Sequence, residues 1–270
     1  MYDYVIAGAG SAGCVLANRL SADPNVKVCL LEAGPKDKDP KIHMPAGFAQ
    51  LMGSKVNWDF DSVPQAHCNN RVTYHPRGRT LGGSSSINAQ LYIRGNRLDY
   101  DHWRQLGNRG WGYEDVLPYF RKAQNNERGA DEFHGTGGPL NVADQVAANP
   151  LSTLFIEACE QVGIPRNPDF NGAKQEGAGL YQVTQKSAKR CSAAVGYLHP
   201  VADRPNLTVI TDARATKVLV EDGKAVGVAY MRGRKPEEAR ANREVIVSAG
   251  AFQSPQLLML SGIGPGEELK

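Results

Sequence analysis

MYDYVIAGAGSAGCVLANRLSADPNVKVCLLE, residues Met1–Glu32, decides the fold. Tyr2–Ala7 reads as a short apolar strand, GAGSAG (Gly8–Gly13) as a glycine turn, and Val15, Leu16 and Leu20 as one face of a helix. A second apolar run, Val26–Leu31, ends on Glu32, nineteen residues after Gly13. Strand, glycine turn, helix, strand and acid is the order in which a dinucleotide site is built. Gly8 permits the tight turn, Gly10 lets the backbone approach a pyrophosphate, and Gly13 lets helix and strand pack closely. Unsatisfied N–H groups at the helix start, around Ser11 and Ala12, attract phosphate. Glu32 is placed to accept hydrogen bonds from a ribose hydroxyl.

The rest of the composition narrows the class. With 41% hydrophobic and 22% charged residues and no low-complexity run, the 270-residue chain is of globular type, with room for one large domain or two ordinary ones. A net charge of +3 and no basic stripe with interleaved aromatics argue against a nucleic-acid partner, and Arg232–Lys235 reads as solvated loop. Cys14, Cys29, Cys68, Cys159 and Cys191 form no CxxC pair, which fits reduced thiols in a cytoplasmic protein, with Cys14 and Cys29 as core filling. His43, His67, His75, His102, His134 and His199 show no metal-binding spacing, so no metal site is expected. The N-terminus has no basic region before its apolar stretch, so a signal peptide is not expected, nor is any spanning helix. Peripheral membrane contact stays open.

After Glu32, residues 34–75 show little periodicity and carry four prolines. A stretch this long suggests a lid or binding loop, with Trp58, Phe60 and Tyr74 as apolar anchors over a ligand. Residues 75–95 follow as HPRGRTLGGSSSINAQLYIRG. Gly82-Gly83 breaks the chain, Ser84–Ser86 are placed to cap a helix, and Arg77 and Arg79 add a second anion-friendly surface. Helical spacing recurs over Leu98–Leu106, Tyr113–Ala123 and Leu151–Val162, the last with a stripe (Leu154, Phe155, Ala158, Val162) predicted to pack on a sheet. Asp131–Val142 holds HGTGGPL, either a ligand approach or a plain turn cluster, and Lys189–Ser192 opens a short helical run to Leu198. Asn206–Ile210, Ala215–Glu221, Ala225–Met231 and Glu244–Ser248 read as strands, with Asp222-Gly223-Lys224 a hairpin turn and Glu244–Ser248 of buried type.

RGRTLGGSSSINAQLYIRG closely resembles the first signature of the glucose–methanol–choline (GMC) oxidoreductases, and Gly250–Pro265 (GAFQSPQLLMLSGIGP) resembles the second. With GAGSAG and Leu30–Gly34 (LLEAG), three motifs fall in the family's order across essentially the whole chain, nearest the bacterial choline dehydrogenase-like branch. The resemblance implies an α/β protein: a Rossmann-like FAD-binding domain from residues 1–100 and 195–270, with a partial substrate-binding domain, 101–194, inserted. It implies that Gly8, Gly10, Ser11, Ala12 and Gly13 hold the FAD pyrophosphate, and Glu32, with neighbouring Ala33, the adenosine ribose. Arg79, Leu81, Gly83, Ser84, Asn88 and Ala89 would line the ribityl and isoalloxazine portion, Ala215 would meet adenine through its backbone, and Ala249-Gly250 would reach the flavin edge. Some relatives attach FAD covalently to a His in the first signature; Ile87 stands there, so a non-covalent flavin is expected.

The family reaction oxidises an alcohol, with hydride passing to flavin N5 while a base takes the hydroxyl proton. The base lies in the C-terminal half of relatives roughly twice this length, so no residue here is named catalytic. The implied partners are a small-molecule alcohol and an unidentified electron acceptor. Two other readings remain beside the dehydrogenase: an inactive FAD-binding module completed by a second, C-terminal polypeptide, and an NAD(P)-binding protein, since GAGSAG with Glu32 suits NAD almost as well as FAD, although NAD has no use for GGSSSIN.

Overall fold

The computed structural model describes residues 1–269. The chain divides into two compact units, one of Met1–Asn88 together with the segment from Ser192 to the C-terminus, the other of Ala89–Cys191.

The first unit is built on a six-stranded sheet. Its strands are β1 (Tyr2–Ala7), β2 (Val28–Leu31), β3 (Leu207–Ile210), β4 (Ala213–Glu221), β5 (Lys224–Arg232) and β6 (Lys235–Val247), in the spatial order β3-β2-β1-β6-β5-β4. β1 is central and parallel to both neighbours: Tyr4, Val5, Ile6 and Ala7 pair with Val28–Leu31 on one side and with Glu244–Val247 on the other. β3 extends the parallel set beside β2. Because the central strands are covered on both faces they read as continuous apolar runs, and Val5, Ile6, Ala7, Val28, Cys29 and Leu30 are fully buried. Burial pushes the Cys29 thiol up to about 12, so it serves as core filling.

The antiparallel edge carries the main surprise in the sheet. β6 is thirteen residues long, and its first half, Lys235–Arg240, pairs with β5, whereas the second half joins β1. Arg232–Lys235 is therefore the tight turn of a hairpin, with Gly233 at φ +61°. The expected buried character of Glu244–Ser248 is also corrected: Glu244 is exposed and Val245–Ser248 are half-buried, since this end of the strand borders open space. Helix α1 (Ser11–Leu20) follows β1, and α2 (Gly250–Leu260) follows β6.

Residues 34–75 are organised by backbone bonds to the chain that follows. Trp58 N–H donates to the Arg77 carbonyl (2.8 Å) and Arg79 N–H to the Val56 carbonyl (2.7 Å), while Ile42, Leu51, Val56 and Ile87 bury one another. The second unit holds helices Arg97–Gln105, Tyr113–Ala123 and Pro150–Gln161 and three two-stranded ladders. The packing on a sheet expected for Leu151–Val162, which forms the helix Pro150–Gln161, is not observed. Only Ile156 and Cys159 are buried, against Ala178 and Leu180, and Leu151, Leu154 and Phe155 are 70, 57 and 68% exposed. The HGTGGPL segment centres on a buried polar cluster. His134 Nε2 lies 2.8 Å from the Asp169 carboxylate, and His134 Nδ1 lies 3.0 Å from the Asn126 amide nitrogen. That geometry assigns the Nε2–H tautomer, with Nδ1 accepting.

Candidate functional site

The Gly8–Gly13 turn and the Gly82–Ser86 turn meet backbone to backbone. Gly8 leaves β1 at φ +104°, and a Cβ there would stand 2.6 Å from the Ser248 carbonyl oxygen at the end of β6. A Cβ on Gly13 would stand 1.9 Å from the Gly8 carbonyl oxygen, so helix and turn pack as closely as the motif expects. Gly82 N–H donates to the Ala9 carbonyl (2.8 Å), and a Cβ on Gly83 would come within 2.7 Å of Gly10 Cα. The second turn is a single 3₁₀ turn, Gly83–Ser86, in place of the expected capped helix. Its serines bond locally: Ser84 Oγ accepts from Gly78 N–H, and Ser85 and Ser86 Oγ donate to the Gly82 and Leu81 carbonyls. Local hydroxyl–carbonyl bonds of this kind compete with a helix.

Around these turns lies a cavity of about 1170 Å³. Of the residues expected to hold the cofactor, Gly8, Gly10, Ser11, Ala12, Glu32, Ala33, Arg79, Gly83, Ser84, Ala215, Ala249 and Gly250 line it. Gly13 and Leu81 are buried and Asn88 and Ala89 exposed, and none of the four lines it; Ala89 is the first residue of the second unit. Trp58, Arg77, Asp212, Arg214, Met231 and Gln253 join the lining without having been named as cofactor residues, although Trp58 had been read as an anchor over a ligand and Arg77 as part of an anion-friendly surface.

The fit to a dinucleotide can be tested on the walls themselves. A Cβ on Gly10 would meet nothing nearer than the Ser248 carbonyl at 4.0 Å, so the space it would fill is the space a ligand would use. No side chain caps α1 and its first turn holds no acid, so the N–H groups of that turn face the cavity with the positive end of the helix dipole. Arg77, Arg79 and Arg214 border it against two acids, Glu32 and Asp212, and the buried Arg79 Nε has no partner in the fold. These are the donors a pyrophosphate requires.

Glu32 lines the cavity, 6% exposed. Its two oxygens accept from Ala9 N–H (3.0 Å) and Gly34 N–H (2.9 Å). Burial pushes its carboxyl up to about 7, against the opposing pull of those two amides and of Arg79. Each oxygen keeps a second lone pair, so ribose hydroxyls can still donate to it. Among the described residues no group of three or more His, Cys, Asp or Glu could hold a metal ion, and no helix is long and apolar enough to cross a membrane.

A sheet with a parallel centre, a glycine turn, a bare helix N-terminus and a buried acid after the second strand define an α/β dinucleotide-binding protein. The family model for GMC oxidoreductases matches residues 2–269, and the chain belongs to that family. It is 56% identical over its full length to an alcohol dehydrogenase [acceptor] of Pseudomonas putida and 49% identical to the mitochondrial choline dehydrogenase of Homo sapiens, covering 50% and 47% of those proteins. Among solved structures, the pyridoxine 4-oxidase from Mesorbium loti superposes with a TM-score of 0.96 at 36% identity, all of this chain on 53% of that one. The chain thus spans about half the length of the curated relatives it matches, and its fold is the FAD-binding fold of the family.

Proposed function

We propose that this chain binds FAD non-covalently in the cavity between the two glycine turns and acts within an oxidoreductase that takes hydride from an alcohol. The observation that carries the reading is the meeting of Gly10 and Gly83 on a cavity bordered by a bare helix N-terminus and three arginines. In it, Gly10, Ser11 and Ala12 would hold the pyrophosphate, Glu32 the ribose, and Gly83, Ser84, Ala249 and Gly250 the remainder. The bound flavin supplies the hydride acceptor. Ile87, at the position where some relatives carry the attaching His, is 2% exposed in an apolar cluster and offers no nucleophile.

The chain's own residues bind and orient. Among the described residues no His, Lys, Tyr or Cys lines the cavity, so proton abstraction from the alcohol is assigned to none of them. The second unit, Ala89–Cys191, is our candidate for the partial substrate domain. The names of the relatives favour a choline-type or other simple alcohol as substrate. The test is equilibrium dialysis of the chain against FAD and against NAD⁺, followed by anaerobic mixing of the FAD-loaded chain with choline and with primary alcohols. Retention of FAD, with the visible flavin band bleached when a C-terminal half carrying the base is supplied, supports the reading. A protein that takes up NAD⁺ and leaves FAD in solution would contradict it.

A further inference from the structure

Trp58 is held by three segments that all line the cavity. Residues 56–58 run antiparallel to 77–79, with Asn57 bridging Gly78, which fixes the Trp58 backbone against the first signature. The indole Nε1–H donates to Gln253 Oε1 at 2.8 Å when the Gln253 amide is turned so that its nitrogen donates to the Ala249 carbonyl. Two guanidinium groups lie over the ring, Arg79 with its Cζ 5.1 Å and Arg214 with its Cζ 5.7 Å from the centroid, and Phe60 lies parallel to it at 5.7 Å. A half-buried indole fixed this firmly at a cavity wall is a preformed stacking surface.

Its position selects the ligand's end. Arg214 lies on β4 next to Ala215, and the Arg79 charge acts on Glu32. The ring therefore belongs to the Glu32 end of the cavity, where the ribose of an adenosine would be held. The base on that ribose is a flat purine, and indole–purine stacking is strong whatever the base's hydrogen-bonding edge.

We propose that Trp58, with Arg79 and Arg214 fixing its ring, is the side chain on which the adenine of the bound dinucleotide stacks; the proposal rests on the FAD reading above. The chain has three tryptophans, and Trp103 and Trp111 pair with each other at 6.1 Å in the other unit. A Trp103→Phe/Trp111→Phe protein therefore reports on Trp58 alone. Titration with ADP, which does not take up tryptophan emission by energy transfer as a flavin does, should change Trp58 fluorescence saturably, and FAD should compete. Trp58→Leu should weaken FAD in equilibrium dialysis by roughly 5- to 100-fold, whereas Trp58→Phe, which keeps a stacking ring, should stay within about threefold. Unchanged emission at saturating ADP in a protein that binds FAD, or unaltered FAD affinity in Trp58→Leu, would overturn the assignment and leave the FAD reading standing. A wild-type protein that binds neither ligand would overturn the FAD reading itself. If Trp58→Leu does not fold, the fluorescence titration decides.

Discussion

Gly83 and Gly10, seventy-three residues apart, touch: a Cβ on Gly83 would lie 2.7 Å from Gly10 Cα. The contact joins the first glycine turn to the second and closes the floor of the cavity. Gly83 also sits at φ +54°, in the left-handed region that favours glycine. Gly83→Ala should therefore destabilise the chain by about 1–3 kcal/mol in denaturant unfolding and abolish FAD uptake. An unfolding midpoint equal to wild type would show that the two turns do not pack as described.

Gly10 and Gly13 have opposite requirements although both belong to one motif. Gly10→Ala adds a methyl group that meets only a carbonyl at 4.0 Å, at an ordinary φ of −73°. It should alter stability by under about 1 kcal/mol, as expected at a helix N-cap, while weakening FAD at least tenfold on the order expected for a blocked phosphate approach. Gly13→Ala would press Cβ to 1.9 Å from a backbone oxygen and should fail to fold. Circular dichroism and FAD dialysis on the two variants separate the roles.

Glu32 makes stability and binding depend on pH in a calculable direction. Its folded pKa, about 7, is raised above the ordinary 4.5. Its contribution is thus fully present below about pH 4.5 and is lost as pH rises through about 7, on the order of 3 kcal/mol in all. The ligand-free wild type should lose stability relative to Glu32→Gln across that window. FAD, whose ribose hydroxyls donate to the ionised carboxylate, should bind more tightly as pH rises to about 7 and level off above it. A flat binding profile would place the ribose elsewhere.

The helix Pro150–Gln161 exposes Leu151, Leu154 and Phe155. Phe155→Ser should change unfolding free energy by less than about 0.5 kcal/mol, because the ring is not in the core. A loss of several kcal/mol would mean that this face is buried in the protein in solution.

Most of the fold was legible because its signals are local. The strand–glycine–helix–strand opening, the Asp222-Gly223 hairpin and the acid after the second strand depend on neighbours in sequence, and they stand where the residues place them. What escaped depends on distant partners. Lys235–Arg240 is too charged to look like a strand, yet its backbone completes a ladder with β5. The capped helix expected at Ser84–Ser86 gave way to a 3₁₀ turn, since those hydroxyls bond to nearby carbonyls. Arg214 belongs to no motif, and Gln253 lies within the second signature without a role of its own there. Only the folded sheet and the start of α2 bring them to Trp58.

The visible absorption spectrum of the purified chain, supplied with FAD, filtered, and then denatured and filtered again, tests the central claim most directly. Flavin bands that stay with the folded protein and pass into the filtrate after denaturation are the expected result. A folded chain that remains colourless in excess FAD, or one that keeps its colour after denaturation, would contradict non-covalent FAD binding in this cavity.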